Sequence, residues 1–155
     1  MDEAKAAIGI ALQALSRRDH SEWEIRRKLQ RKNIPPDLIE KAVGGLLAAG
    51  YLDDARFARN YAESSIRNGR GYGFRIRMEL LRRGIAEAII ADTLGGLESE
   101  YEESSVIREL LEKRFPGFDS GSADNREKRR VLGYFLRRGF PPASILRVLH
   151  GGEGY

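Results

Sequence analysis

The chain has no cysteine and only two histidines, His20 and His150. A disulfide framework and a thiolate metal site are thereby excluded, and a histidine-cluster metal site lacks ligands. Long apolar runs are missing as well. The opening stretch MDEAKAAIGIALQAL starts acidic and meets charge again at Arg17, which predicts a soluble helix rather than a signal peptide or a membrane span. There is no alternating run of β-branched residues, so no sheet is expected. Neither sign of charge dominates: 27 basic and 23 acidic side chains leave +4, with a sequence pI near 9.5. A negatively charged partner is compatible with that balance but not demanded by it. The expectation is a cytoplasmic protein with no membrane association, no cofactor and no metal.

What the sequence does contain is helical periodicity. In DLIEKAVGGLL the apolar residues Leu38, Ile39, Ala42, Val43, Leu46 and Leu47 recur at the spacing that lines one helix face. Ser21 and Glu24 have the spacing of a capping box, and Pro35 and Pro36 suit a first helical turn, where a missing N–H costs nothing. Gly50 reads as a helix C-cap, and Asp53 or Asp54 as the N-cap of a helix through ARFARNYAESSIR.

The chain also repeats itself. LQRKNIPPDLIEKAVGGL (29–46), LLRRGIAEAIIADTLGGL (80–97) and FLRRGFPPASILRVLHGG (135–152) align, superposing Asn33, Gly84 and Gly139, then Ile34, Ile85 and Phe140, then Val43, Leu94 and Leu149. At the first of these positions one helix ends and the next begins, which calls for a residue tolerant of positive φ. A further helix precedes each unit, at 4–15, 55–67 and 101–114. The reading is an all-α protein of three tandem three-helix repeats, 1–50, 51–97 and 98–155, forming an elongated, curved right-handed or rod-like array. The third repeat carries a flexible loop at 116–125 and a frayed tail, GGEGY.

Charge follows the repeat. Residues 26–32 carry five bases and no acid, residues 70–83 five bases and one acid, and residues 126–138 six bases and one acid. A single basic helix is equally well explained by a solvated face. Three at equivalent positions favour a binding patch for phosphate or for acidic side chains. The candidate face comprises Arg26, Arg27 and Lys28, then Arg70, Tyr72, Arg75, Arg77, Arg82 and Arg83, then Lys128, Arg129, Arg130, Arg137 and Arg138. The candidate turns and caps are Ser21, Asp53, Asp54, Gly71, Gly73, Gly84 and Gly139.

Competing chemistries fall away one by one. GRGYG (69–73) is no phosphate loop, since no lysine and Ser/Thr follow its last glycine; a turn requiring positive φ is expected instead. Tyr72 and Phe74 have the composition either of a stacking surface for bases or of a staple beneath the next helix. Asp53 and Asp54 are adjacent residues at a helix start, hence caps rather than an acid–base pair. Glu79 among Arg75, Arg82 and Arg83 reads as a surface ion-pair network, and Trp23 as a residue packed between helices. No nucleophile–base pair or cofactor fingerprint is found, and a non-catalytic protein is expected.

GYLDDARFARNY (50–61) followed by GRGYGFRIRMELLRRGI (69–85) resembles the RecX family of bacterial recombination regulators. The matching residues are Gly50, Tyr51, Leu52, Asp53, Asp54, Phe57 and Ala58, then Gly71, Gly73, Arg75, Ile76, Glu79, Leu80, Arg83, Gly84 and Ile85. SRRDHSEWEIRRKL (16–29) resembles the family's first helix pair, so the likeness runs from about residue 4 to 149. One departure is that Phe74 stands where family members often carry a proline. The resemblance implies a protein that binds the RecA recombinase and its filament on single-stranded DNA, in recombinational repair and the SOS response; a monomer is expected. It implies inhibition of RecA's ATP hydrolysis, strand exchange and co-protease action. The basic stretch on each middle helix itself predicts weak, sequence-independent binding to single- and double-stranded DNA. The alternative is a stand-alone, sequence-independent nucleic-acid-binding protein built of helix-turn-helix-like modules.

Overall fold

The computed structural model describes residues 2–151, and all regular structure among them is helical. Of the expected frayed tail only Gly151 is among them; the rest lies outside the described residues. The order is α1 (Glu3–Arg17), α2 (Glu22–Arg31), α3 (Pro36–Ala48), α4 (Asp54–Arg67), α5 (Gly73–Arg82), α6 (Glu87–Glu100), α7 (Glu103–Arg114), α8 (Asn125–Arg137) and α9 (Pro142–Leu149). These are three tandem three-helix repeats, α1–α3, α4–α6 and α7–α9.

Helix starts follow from local chemistry. The capping box of α2 is complete: Ser21 Oγ accepts from Glu24 N–H at 3.2 Å, and Glu24 Oε1 accepts from Ser21 N–H at 3.0 Å. Pro36 and Pro142 occupy the first turns of α3 and α9. Asp53 caps its own helix, accepting from Arg56 N–H at 3.1 Å. Asp54 does something else: its Oδ1 accepts from Glu22 N–H at 2.9 Å, at the head of α2. The two adjacent carboxylates thus serve two different helices.

The middle helix of every repeat ends in the same way. Asn33, Gly84 and Gly139 take left-handed φ values of 61°, 76° and 94°. In α2 the Asn33 and Ile34 N–H groups donate back to Gln30 and Leu29 at 3.0 and 3.1 Å. In α5, Gly84 and Ile85 donate to Leu81 and Leu80 at 3.0 and 3.1 Å; in α8, Gly139 and Phe140 donate to Leu136 and Phe135 at 3.1 and 3.3 Å. This crossed pair of bonds satisfies the last carbonyls and turns the chain sharply into the next helix. The connection at 116–125 is likewise organised, with Asp119 accepting from Gly121 N–H at 3.0 Å and Ser122 Oγ at 3.2 Å.

Packing groups the chain into two compact units, Met1–Asn60 with Leu80–Ile90 and Tyr61–Glu79 with Ala91–Tyr155. In the first, three small residues of α1, Ala7, Ala11 and Ala14, join Ile25 and Leu29 of α2 and Ile39, Val43 and Leu46 of α3 in one core. Alanines at i, i+4 and i+7 let α1 approach closely. Each fully buried Ile or Leu contributes about 2–3 kcal/mol. Ser21 is also buried there, and its Oγ–H donates to the Arg83 carbonyl at 2.6 Å. Trp23, expected between helices, is instead 41% exposed; the cause is its place two residues past the buried cap, where the helix surface turns outward.

The second unit is built on aromatics. Phe135 meets Phe140 edge-on at 5.6 Å, and Phe140 stacks on Tyr72 at 5.0 Å. Around them Ile76, Leu97, Ile107, Val131 and Ile145 are buried.

The three closures differ in what surrounds them, which gives a test. A Cβ on Gly139 meets backbone, 2.4 Å from the Tyr72 carbonyl oxygen and 2.6 Å from Arg75 N, whereas Asn33 is exposed and already has a side chain. In urea unfolding, Gly139→Ala is expected to cost about 3 kcal/mol or more. Asn33→Ala should lose only about 1 kcal/mol. Equal losses would mean that backbone strain alone, without the close approach, sets the cost.

Candidate binding surface

The segment from Gly69 to Arg75 positions the candidate surface of the second unit. Gly69 and Gly73 adopt positive φ, 67° and 40°. Gly71 does not, so the conformational demand expected at 71 falls on 69 and 73. The resulting turn lies against the end of α8. Tyr72 N–H donates to the Arg138 carbonyl at 2.8 Å, and Arg138 Nε donates to the Gly69 carbonyl at 3.0 Å. Arg75 Nη1 donates to the Arg137 carbonyl at 3.3 Å, placing a cation at the C-terminus of α8.

Several residues expected on the binding face are therefore structural. Tyr72 is 5% exposed, and its hydroxyl donates to the Tyr101 carbonyl at 2.9 Å. Burial, then the nearby Glu103, Glu98 and Glu102, push its phenol up to about 12. Its ring stacks on Phe140 within the core, while Phe74 is 64% exposed. Arg75 also pairs through Nε with Glu79 at 2.8 Å, and Glu79 accepts from the Tyr61 hydroxyl. The expected network at Glu79 thus includes a tyrosine that the sequence did not suggest.

Arg138 bonds the Tyr134 carbonyl at 3.1 Å and lies 3.5 Å over that residue's ring. Burial, together with the neighbouring Arg75, Arg137 and Arg114, pulls its guanidinium below the usual value, against the opposing effect of Tyr134. Arg114 is a member of this cluster that charge counting over the middle helices passed over, since it closes α7.

Facing outward are Arg70, which donates to Ser64 Oγ at 3.0 Å, Arg137, and the exposed Phe74. Arg77 is half-buried. Along α8, Lys128, Arg129 and Arg130 are exposed, with Arg130 5.3 Å from the Phe115 ring centre.

The remaining candidates belong to the first unit. Arg82 is exposed and Arg83 half-buried. Arg26 is bound by carboxylates, with Glu22 at 3.0 Å and Glu40 on its other side, whereas Arg27 lies 4.9 Å from the Trp23 ring centre, and Lys28 lies beside it in sequence. The structure thus splits the expected face into neutralised or structural cations (Arg26, Arg75, Arg138) and open ones (Arg27, Lys28, Arg70, Arg129, Arg137). Among the described residues no group of three His, Cys, Asp or Glu side chains is arranged to hold a metal ion. No helix among them is long and apolar enough to cross a membrane.

Three family models match in tandem: the first three-helix domain of RecX over residues 7–46, the second over 53–94 and the third over 100–149. The chain belongs to the RecX family. Among relatives named regulatory protein RecX, that of Syntrophotalea carbinolica is 37% identical over 137 residues, covering 88% of this chain and 90% of its own. That of Trichlorobacter lovleyi is 38% identical, covering 84% of each chain. The Pseudomonas savastanoi protein is 32% identical over 99% of this chain and 96% of its own. The fold also matches a crystal structure of RecX from Lactobacillus salivarius, with a TM-score of 0.75, 20% identity and coverage of 98% and 97%. RecX-family regulation is thus the role the chain shares with its relatives.

In this RecX chain the buried phenol sets an alkaline limit. Because the folded pKa of Tyr72 lies above its ordinary value near 10, the fold favours the neutral phenol. The stability it contributes is complete below pH 10 and is lost as pH rises towards 12. In denaturant melts Tyr72→Phe is expected to be less stable at neutral pH, through loss of the hydrogen bond to Tyr101. Its stability should fall less steeply than the parent's above pH 10; parallel slopes would place the alkaline transition on other groups.

Proposed function

We propose that this RecX-family chain binds the RecA recombinase and its filament on single-stranded DNA, and inhibits ATP hydrolysis, strand exchange and co-protease action. The observation that carries the reading is the arginine cluster where residues 69–75 meet the end of α8. Arg75 and Arg138 are held by hydrogen bonds to backbone carbonyls, and this rigid base leaves Arg70, Phe74 and Arg137 outward. Fixed cations around an exposed aromatic suit an acidic protein surface, because little side-chain freedom is lost on binding. The repeats at 1–50, 51–97 and 98–155 each contribute a basic middle helix. Weak contacts linked in one chain supply avidity along a repeating partner, while weak, sequence-independent contact with DNA phosphates accompanies that binding.

The test follows from which arginines are free. Arg75→Glu is a poor probe, since it breaks the bonds to Glu79 and to the Arg137 carbonyl. The double variant Arg70→Glu with Arg137→Glu is expected to keep parental helicity and melting, as exposed charges contribute little to stability. It should raise the concentration needed to halve RecA's DNA-dependent ATP hydrolysis on the order of tenfold. Unchanged inhibition at matched salt would remove this surface from the reading. Strong binding to DNA without RecA, and no effect of RecA on it, would favour a stand-alone nucleic-acid binder instead.

A further inference from the structure

A groove of the first unit lies on α2. It offers about 350 Å³ and is lined by Trp23, Arg27, Lys28, Arg31 and Lys32, with His20 at one end. That volume falls at the lower end of the range typical of small-molecule sites. The residues come in steps of three and four along the helix, so they form one continuous stripe over its successive turns.

Two features separate this stripe from an ordinary solvated face. The first is electrostatic. Arg18, also at the groove, is neutralised by Glu24, which it holds through both guanidinium nitrogens at 3.0 and 3.3 Å. Burial opposes ionisation of the Glu24 carboxyl, but Arg18 and the Ser21 N–H draw it below its usual value, so the ion pair persists at neutral pH. Among the described residues no carboxylate pairs with Arg27, Lys28, Arg31 or Lys32. Four uncompensated cations therefore border one cavity, while Arg26 on the same helix is paired with Glu22 and Glu40.

The second feature is the ring. Trp23 is the only tryptophan in the chain and is 41% exposed. It is anchored at its root against Gly84, where a Cβ would come within 2.3 Å of the Trp23 Cβ. The Arg27 guanidinium lies over the ring at 4.9 Å, at the stacking position that another planar group would take. A fixed, accessible indole beside free cations matches one ligand chemistry better than any other: a planar base carrying a phosphate.

We infer that this groove is a nucleotide-binding site. The base stacks on Trp23 in exchange with Arg27, and the phosphate is held by Lys28, Arg31 and Lys32. The ligand is either a free nucleotide or one nucleotide of a single strand, since both present the same two groups. The site shares Arg27 and Lys28 with the candidate face, and its single-strand form rests on the proposed contact with DNA, but it uses none of the second unit's arginines.

Trp23 emission reports on this groove alone, which makes the test direct. The full chain is titrated at low salt with ADP, with a short oligothymidylate and with inorganic phosphate. Quenching by ADP and by the oligonucleotide, but not by phosphate, is expected. Quenching by the oligonucleotide alone assigns the site to a strand, and quenching by ADP alone to a free nucleotide; either supports the site. Arg31→Glu with Lys32→Glu keeps the fluorophore and should weaken binding on the order of tenfold. Trp23→Ala, followed by calorimetry, should weaken it by a similar factor, on the order of tenfold. Circular dichroism verifies that both variants remain helical. The inference is overturned if neither nucleotide ligand alters Trp23 emission, if phosphate alone quenches as ADP does, or if the folded charge variant binds like the parent. No recombinase is present in the assay, so its failure leaves the proposed filament contact untouched, and the converse also holds.

Discussion

The architecture depends on how the middle helix of each repeat is terminated. One residue in the left-handed region lets two backbone N–H groups reach back across the last turn, and an apolar residue immediately after it closes over the helix end. At Asn33–Ile34, Gly84–Ile85 and Gly139–Phe140 the same two bonds recur. This closure fixes the direction in which the third helix of the repeat departs. At Gly139 the absence of a Cβ also lets the Tyr72–Arg75 backbone come into contact. Conformational tolerance and close approach are separate demands; Asn33 meets only the first.

Charge is the second organising feature, and it is sorted by the fold rather than by the sequence. Lysines and arginines that look alike along α2 divide into a paired one, Arg26, and the open stripe beyond it. In the second unit the same division separates Arg75 and Arg138, which bond backbone carbonyls, from Arg70 and Arg137. A cation bonded to a helix end is already satisfied, and reversing it would damage the scaffold before it revealed anything about binding. The counts of basic residues per repeat therefore overstate what is presented to a partner.

The fold was legible because its signals are local. The Ser21–Glu24 spacing, the prolines at 35–36 and 141–142 and the aligned 33, 84 and 139 positions each dictate backbone geometry within a few residues. The candidate surface was less legible, because the environment of a side chain depends on residues distant in sequence. Tyr72 and Phe74 illustrate this. Two residues apart in a glycine-rich turn, they differ little in composition, and only the packing of Phe140 decides which one is buried. Asp54 is a similar case: its place next to Asp53 predicts a cap, but which helix it caps depends on the position of α2, thirty-two residues earlier. Trp23 was misplaced because an indole is usually a core residue, and its exposure follows from the outward face of a helix whose other side carries Ile25 and Leu29.

The first compact unit is discontinuous, needing Leu80–Ile90 in addition to Met1–Asn60. During synthesis its parts leave the ribosome at different times. At roughly 5–20 residues per second, the stretch from Tyr61 to Ile90 takes a few seconds to follow. For that interval the Ser21 hydroxyl has no Arg83 carbonyl to reach, and the place of Gly84 beside Trp23 is empty. The nascent chain thus emerges with its first three helices made and one flank uncovered, so a chaperone or a neighbouring nascent chain meets a surface that the finished molecule hides.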